Sequence, residues 1–328
     1  MRELIIGKND AGQRLDKFIT KTLDLPTSLL YKSIRLKKIK VNRKRAEIGM
    51  ILKEGDAIQC FLAEEFFARL DGESDERAVS LAKIKPNLDI VYEDENIILL
   101  NKRPGISVHE DEHNALDTLI IRTQAYLYQK GEYDPQDEMS FAPALCNRID
   151  KNTGGIVIAA KSAEALRIMN EKIKLREIDK YYLAAVHGTP EPRSATLRGY
   201  LIKDERTNTV RVYDKNPPRG AKDIITKYKV VASSKQNGGT SLIEVELLTG
   251  RTHQIRAHMA HIGHPLVGDG KYGINRADRE RGYKYQALYS YKLRFSFTTD
   301  AGILSYLNGK EFSIPKDEIY FTKDYFKA

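Results

Sequence analysis

The chain has 328 residues and a formal net charge of +9 at pH 7, which predicts one large domain with a smaller appendage and a polyanionic partner. No run approaches the ~18 apolar residues of a membrane span, and the opening MRELIIGKND lacks a secretory apolar stretch, so a cytoplasmic protein without membrane contact is expected. Two distant cysteines, Cys60 and Cys146, suit small core residues in a reducing compartment and exclude a disulfide scaffold.

Leu15, Phe18 and Ile19 recur at helical spacing after Gln13-Arg14, and a second amphipathic stretch follows Pro26-Thr27-Ser28, where Ser or Thr can cap it. Between Lys32 and Arg45 lie eight cations and no acid: Lys32, Arg35, Lys37, Lys38, Lys40, Arg43, Lys44 and Arg45. They spread over a helix, the turn after it and the strand Ile39–Val41. A solvated helix face would account for some of them; a surface that tracks a phosphate backbone accounts for the set. Residues 63–77 then reverse the sign, with six acids against two arginines, and read as a tether.

The main body begins near Asn87-Leu88. LDIVYEDENIILLNKRPG gives two short apolar strands around an acidic turn, closed by Lys102-Arg103-Pro104-Gly105. A helix at about 115–130 and a poorly patterned loop at 131–143 lead to LCNRIDKNTGG, residues 145–155, and the apolar strand 156–160. Residues 162–177 are helical by the spacing of Ala165, Leu166, Ile168, Met169 and Ile173. Strands follow at 181–187, 196–201, 224–232 and 241–248, and His253 to Ile262 reads as a helix ending in Gly263-His264-Pro265. Strands that follow one another directly predict an α+β domain, its sheet mixed and largely antiparallel and flanked by helices and loops.

Three stretches carry chemistry. In LCNRIDKNTGG, Asp150 sits between Arg148 and Lys151, cations that favour its ionised form and suit it to nucleophilic or electrostatic work. An Asx turn opening a loop would also suit Asp-x-x-Thr-Gly-Gly. In LLTGRTHQIRAHMAHIGHPLVGDGKYG, residues 247–273, Arg251 follows a strand and Arg256 falls on the first helical turns, on the side of Thr252. Four of the seven histidines, His253, His258, His261 and His264, fall here, but no acid or cysteine at metal-ligand spacing accompanies them, so helix interior, capping or RNA contact is expected instead of zinc. In Lys180 to Gly188, adjacent Tyr181 and Tyr182 lie on opposite strand faces, so one faces inward, as core or as a stacking surface for a base. Gly-x-Gly-x-x-Gly and Gly-Lys-Ser/Thr are absent, which argues against a kinase, an ATPase or a dehydrogenase and against a nucleotide cofactor.

Together these stretches resemble the RluA family of pseudouridine synthases. The family's His-Arg-Leu-Asp-x-x-Thr-Ser-Gly stands here as Asn147 to Gly155, with Asn147, Ile149 and Gly154 as departures. Lys-x-Tyr-x-Ala-x-Val-x-Gly matches Lys180, Tyr182, Ala184, Val186 and Gly188; Thr-Gly-Arg-Thr-His-Gln-Ile-Arg-x-His matches Thr249 to His258; Gly-His-Pro-Leu-x-Gly-Asp matches Gly263 to Asp269. The likeness covers about 87 to 295. The front segment resembles the alpha-L RNA-binding module of S4 type through Arg14-Leu15-Asp16-Lys17-Phe18 and Ile39-Lys40-Val41-Asn42.

The resemblance implies domains at 1–62 (S4-like, RNA-binding), 63–86 (linker) and 87–328 (catalytic). It implies isomerisation of uridine in RNA, 23S ribosomal RNA by analogy, without cofactor or metal, by a protein expected to be monomeric. Asp150 maps to the catalytic aspartate, Arg256 to its basic partner, Tyr182 to the tyrosine that stacks on uracil, and Arg148 to the arginine that fills the gap left by the flipped nucleotide. Arg251 and the cations Lys32, Arg35, Lys37, Lys38, Lys40 and Arg43 are expected to contact RNA. A non-catalytic RNA-binding or ribosome-assembly factor would lack reason to keep Asp150, Tyr182 and Arg256 together; a metal-dependent hydrolase would need zinc at the histidines.

Overall fold

The computed structural model describes residues 1–109, 117–234 and 239–326. In chain order β1 (Arg2–Ile5), α1 (Leu15–Thr22), α2 (Thr27–Arg35), β2 (Ile39–Val41), β3 (Lys44–Arg45), β4 (Ala57–Cys60) and α3 (Ala68–Lys83) come first. There follow β5 (Ile90–Glu93), β6 (Ile97–Lys102), α4 (Leu119–Gln129), β7 (Ala144–Leu145), β8 (Gly154–Ala160), α5 (Ala163–Leu175), β9 (Ile178–His187), β10 (Ser194–Asp204), β11 (Thr209–Tyr213) and β12 (Lys222–Ser234). The last are β13 (Thr240–Leu247), α6 (Gln254–His261), α7 (Arg276–Glu280), β14 (Leu288–Phe295), β15 (Glu311–Ser313) and α8 (Lys323–Phe326). The chain groups into two compact units. One is Met1–Asn87 with Ile120–Ala144 and Ala160–Arg167; the other is Leu88–Leu119 with Leu145–Ala159 and Ile168–Ala328.

The first unit carries an antiparallel sheet in the order β1-β4-β2-β3. Helices α1 and α2 bury Leu15, Phe18, Ile19, Leu30 and Ile34, the positions that the three-and-four spacing assigns to one face. Each such side chain taken from water contributes about 1.5–3 kcal/mol before chain entropy is set against it. The expected hydroxyl cap on α2 is absent: Pro26 at φ −56° stands at its start, without a side-chain bond. Between β2 and β3, Asn42 and Arg43 are both left-handed, at φ 50° and 64°, as a two-residue hairpin turn demands. The cations Lys32, Arg35, Lys37, Lys38 and Arg43 are exposed, and Lys40 lies 5.4 Å from the ring centre of Phe61. Residues 63–86, expected as a linker, are mostly helical. A 3-10 turn, Glu64–Phe67, runs into α3, and Phe67, Ala78 and Leu81 are buried. The acidic composition of this stretch obscured the apolar residues that seat it.

The second unit holds an eleven-stranded sheet among the described residues, in the order β11-β10-β12-β13-β9-β14-β8-β6-β5, with β15 on β14 and β7 on β8. The run β11-β10-β12-β13-β9-β14, the β14–β15 pair and the β5–β6 hairpin are antiparallel, whereas β14 runs parallel to β8, so the sheet is mixed and largely antiparallel, as expected. In the β5–β6 hairpin the acidic turn is held by Asp94, which accepts the N–H groups of Asn96 and Ile97 at 2.8 Å each. The helix expected at about 115–130 is α4; residues 115 and 116 lie outside the described residues. Strands β11, β14 and β15 and helix α7 were not anticipated. Among the described residues no helix is long and apolar enough to cross a membrane.

The glycine pair before the buried strand has a steric cause. Gly154 and Gly155 stand opposite Tyr289 and Ser290 in the parallel β8–β14 pairing. A Cβ on Gly154 would lie 2.3 Å from the Tyr289 ring, and one on Gly155, which has φ 116°, would lie 2.2 Å from the Ser290 carbonyl oxygen. Only glycine admits a neighbour strand this close.

Candidate active site

All the residues of this site belong to the second unit. Three backbone features deliver them. The loop after β7 turns at Asp150, whose carbonyl accepts the Thr153 N–H at 3.0 Å, before the glycine pair enters β8. Strand β9 alternates, so Tyr182 faces the site while Tyr181 points away, with the Lys292 ammonium 4.3 Å from the Tyr181 ring centre. Helix α6 starts one residue later than expected, because His253 is left-handed at φ 53° and ψ 17° and breaks the helical run. That break brings Arg256 to the loop of Asp150.

The Arg256 guanidinium is shared. Nη1 donates to Asp150 Oδ2 at 2.9 Å, while Nε and Nη2 donate to Asp269 at 2.7 and 2.9 Å. The Asp269 carboxylate is wholly buried and the Arg256 side chain is 8% exposed, whereas Asp150 keeps 26% of its side chain open. Burial works against the charge on Arg256, yet Asp269 and Asp150 hold its pKa above the ordinary value; burial likewise opposes ionisation of Asp269, and Arg256 outweighs it. The Tyr272 ring lies 5.3 Å from the guanidinium carbon. The fork geometry of arginine suits this arrangement, two parallel bonds to a structural carboxylate and one to a partly open one.

A cleft of about 1220 Å³ opens on this pair. Arg148, Tyr182 and Arg251 line it with Asp150 and Arg256, so five residues singled out in the sequence converge in space. Arg148, Lys151 and Arg251 are exposed, and the cation in contact with Asp150 is the distant Arg256 and not the flanking Arg148 or Lys151 that the sequence suggested. Burial pushes the Tyr182 phenol up to about 12, with the Asp150 charge adding to it, so the ring is presented protonated. The cations Lys32, Arg35, Lys37, Lys38, Lys40 and Arg43 belong to the first unit.

Several contributors escaped the sequence reading. Lys102, at the end of β6, is buried and donates to the carbonyls of Arg103, Ile106 and Lys151 at 3.2, 2.9 and 2.9 Å. The Gly105 N–H shares the Lys151 carbonyl at 2.9 Å, so the Asp150 loop is tied down one residue beyond the acid. Burial pushes the Lys102 ammonium down to about 7, with Asp150 pulling the other way. Asn147 departs from the family's histidine, and its side-chain oxygen accepts the Ile158 N–H at 2.8 Å, extending the strand pairing begun by Cys146. The four histidines of the second motif go to separate partners: His253 to Tyr272, His258 to Thr226, His261 to Asp214 and His264 to the His187 carbonyl. Among the described residues no three His, Cys, Asp or Glu side chains gather as metal ligands would.

Known proteins resemble this chain over most of its length. The family model described as RNA pseudouridylate synthase matches residues 96–261. A ribosomal large subunit pseudouridine synthase C of Vibrio vulnificus is 31% identical over 300 residues, 89% of this chain and 87% of the relative. One bearing the same name from Buchnera aphidicola is 32% identical over 277 residues, 84% and 82% of the two chains. The solved structure of human RNA pseudouridylate synthase domain containing 1 shares the fold, with a TM-score of 0.55 at 24% identity over 70% of this chain and 84% of that one. With its motifs gathered in one cleft and most of its length matched by such relatives, the chain belongs to the RNA pseudouridylate synthase family, isomerases that act on uridine in RNA.

Proposed function

We propose that this enzyme converts uridine to pseudouridine in 23S ribosomal RNA, with Asp150 as the catalytic carboxylate. The ribosomal substrate is supported by the names of relatives that cover most of the chain. The chemistry is supported by the 2.9 Å contact between Asp150 and Arg256 in the floor of a cleft large enough for a flipped nucleotide. In the reaction the N1–C1′ bond of uridine breaks, the base turns, C5 bonds to C1′, and the C5 proton leaves while N1 regains one. Asp150 acts on the sugar, by attack at carbon or by abstraction of a proton; each role needs a carboxylate held in place, and the Arg256 guanidinium holds one of its oxygens at 2.9 Å. Tyr182 stacks on the uracil. Arg148 and Arg251 bind the RNA, Arg148 restacking the gap, since extrusion of a nucleotide costs a few kcal/mol.

Residues 1–62 are an S4-like RNA-binding domain whose cations grip structured RNA, residues 63–86 connect it, and residues 87–328 carry the chemistry. The exposure of Lys32, Arg35, Lys37, Lys38 and Arg43 supports this. The enzyme works in the cytoplasm as a monomer. The test is tritium release from unmodified 23S transcript labelled at uridine C5: wild type releases label and Asp150→Ala does not, at equal RNA affinity. Turnover by Asp150→Ala at the wild-type rate would remove the carboxylate from the mechanism.

A further inference from the structure

Asp150 has a second neighbour besides Arg256. The Nε2 atom of His253 stands 3.9 Å from Asp150 Oδ2, the same oxygen that Arg256 holds. Oδ1 accepts no hydrogen bond among the described residues. A gap of 3.9 Å is too long for a hydrogen bond and too short to admit a water between the two atoms.

The proton on this imidazole can be assigned from its partners. His253 Nδ1 lies 2.8 Å from the Tyr272 hydroxyl, which already accepts the Val210 N–H at 2.9 Å. Within the described residues the phenolic hydrogen has no other acceptor than Nδ1. Donation to Nδ1 leaves the imidazole proton on Nε2, facing the carboxylate; the other tautomer would set a lone pair against Oδ2. Burial depresses the imidazole pKa; Asp150 opposes this and Arg256 and Lys271 add to it, with the net direction downward, so the neutral ring is the form that needs this assignment. The ring is also fixed in orientation, packed edge-on to Tyr272 with centroids 5.6 Å apart, above a backbone held left-handed. A non-glycine residue rarely adopts that conformation, and the His253 side chain above it is held by the Tyr272 hydroxyl.

Resting on the functional reading above, we propose that His253 is a positioning residue for Asp150. Its Nε2–H, fixed by the Tyr272 hydroxyl, closes on Asp150 Oδ2 when RNA binds; Arg256 and His253 then hold one carboxylate oxygen between them and present Oδ1 to the sugar. Hydrogen bonds of this kind are often long in the free enzyme and tighten on the substrate. Val210 ties the same hydroxyl to β11, so the β10–β11 hairpin, whose residues Lys203 and Arg206 line the cleft, sets the ring that faces Asp150.

The test uses the full chain, 23S transcript labelled with tritium at uridine C5, and nitrogen NMR of histidine-labelled protein. His253→Leu is expected to lower kcat about a hundredfold with KM within twofold, the loss that a misplaced reacting group brings. His253→Gln, which offers an amide N–H in a similar place, recovers most of that loss. Tyr272→Phe, which keeps the ring but not the hydroxyl, lowers kcat in the same direction, and the His253 nitrogen shifts move from the Nε2–H pattern of wild type. Equal losses in Leu and Gln, or a His253→Leu kcat within twofold of wild type, overturn the proposal. So does a wild-type spectrum with the proton on Nδ1, whatever the activity. Absence of tritium release from wild type would instead overturn the functional reading, while the spectrum still decides the tautomer.

Discussion

Arg256 and Asp269 form the anchored half of the site: two parallel bonds at 2.7 and 2.9 Å inside the protein leave Arg256 one free edge, and that edge meets Asp150. Arg256→Lys is therefore expected to be severe. An ammonium cannot make the paired contact to Asp269 and also reach Asp150, and a buried carboxylate that loses its partner costs about 3–5 kcal/mol. Melting by calorimetry and tritium release should both fall. A lysine variant with wild-type stability and turnover would show that the shared guanidinium is dispensable.

Tyr182 offers a cleaner separation of roles. With the phenol pushed up to about 12, its proton stays in place at any working pH, so the ring face and not an ionised oxygen is what the cleft presents. Tyr182→Phe should keep kcat within about fivefold, while Tyr182→Ala, which loses a stacking surface valued at about 1–3 kcal/mol, should lose roughly tenfold or more. Equal losses in the two variants would assign the function to the hydroxyl.

Lys102 should leave a mark on the pH dependence of stability. Its folded pKa is near 7 against an ordinary 10.5, so between these values the unfolded chain holds a proton that the native protein has released. Stability contributed through this group then rises with pH across that window, by at most about 1.4 kcal/mol per pH unit, and the burial penalty is fully present below pH 7. Denaturant titrations of wild type and Lys102→Met at pH 6, 8 and 9 check this: the wild-type curve should climb relative to the variant, and parallel curves would rule the titration out.

The exposed cations of the first unit should govern the salt response of RNA binding. Changing Lys32, Arg35, Lys37 and Lys38 together to glutamine should weaken binding and flatten the slope of log K against log salt, each lost phosphate contact removing roughly 0.7–0.9 from it. Filter binding of 23S transcript across salt concentrations gives the slope directly. An unchanged slope would show the patch to be a solvated face.

Much of the fold was legible because its signals are local. Leu15, Phe18 and Ile19 announce a helix by spacing alone, and the alternation in β9 places Tyr181 and Tyr182 on opposite faces before any contact is known. What the sequence withheld is non-local. LYSYKLRF, the stretch of β14, alternates as a strand does, but nothing in it assigns a central place between β8 and β9, and its parallel contact with β8 is the reason for Gly154 and Gly155. The convergence of Asp150, Tyr182 and Arg256 was expected by resemblance to a family. The partners Asp269, Tyr272, Lys102 and His253 emerge only when loops far apart in sequence meet. His253 illustrates the difference: a helix pattern from His253 to Ile262 is correct to within a residue, and the residue it misses is the left-handed one that faces Asp150.

The parallel pairing of β8 with β14 also sets a schedule for the nascent chain. The Asp150 loop enters β8 through two glycines that are ordered by Tyr289 and Ser290, residues synthesised far downstream. Arg256, Asp269 and Tyr272 likewise follow Asp150 late. A chain still on its way out of the ribosome thus holds the carboxylate long before it holds the groups that orient it, and the site is complete only once the last central strand is in place, a non-local closure of the kind that folds slowly.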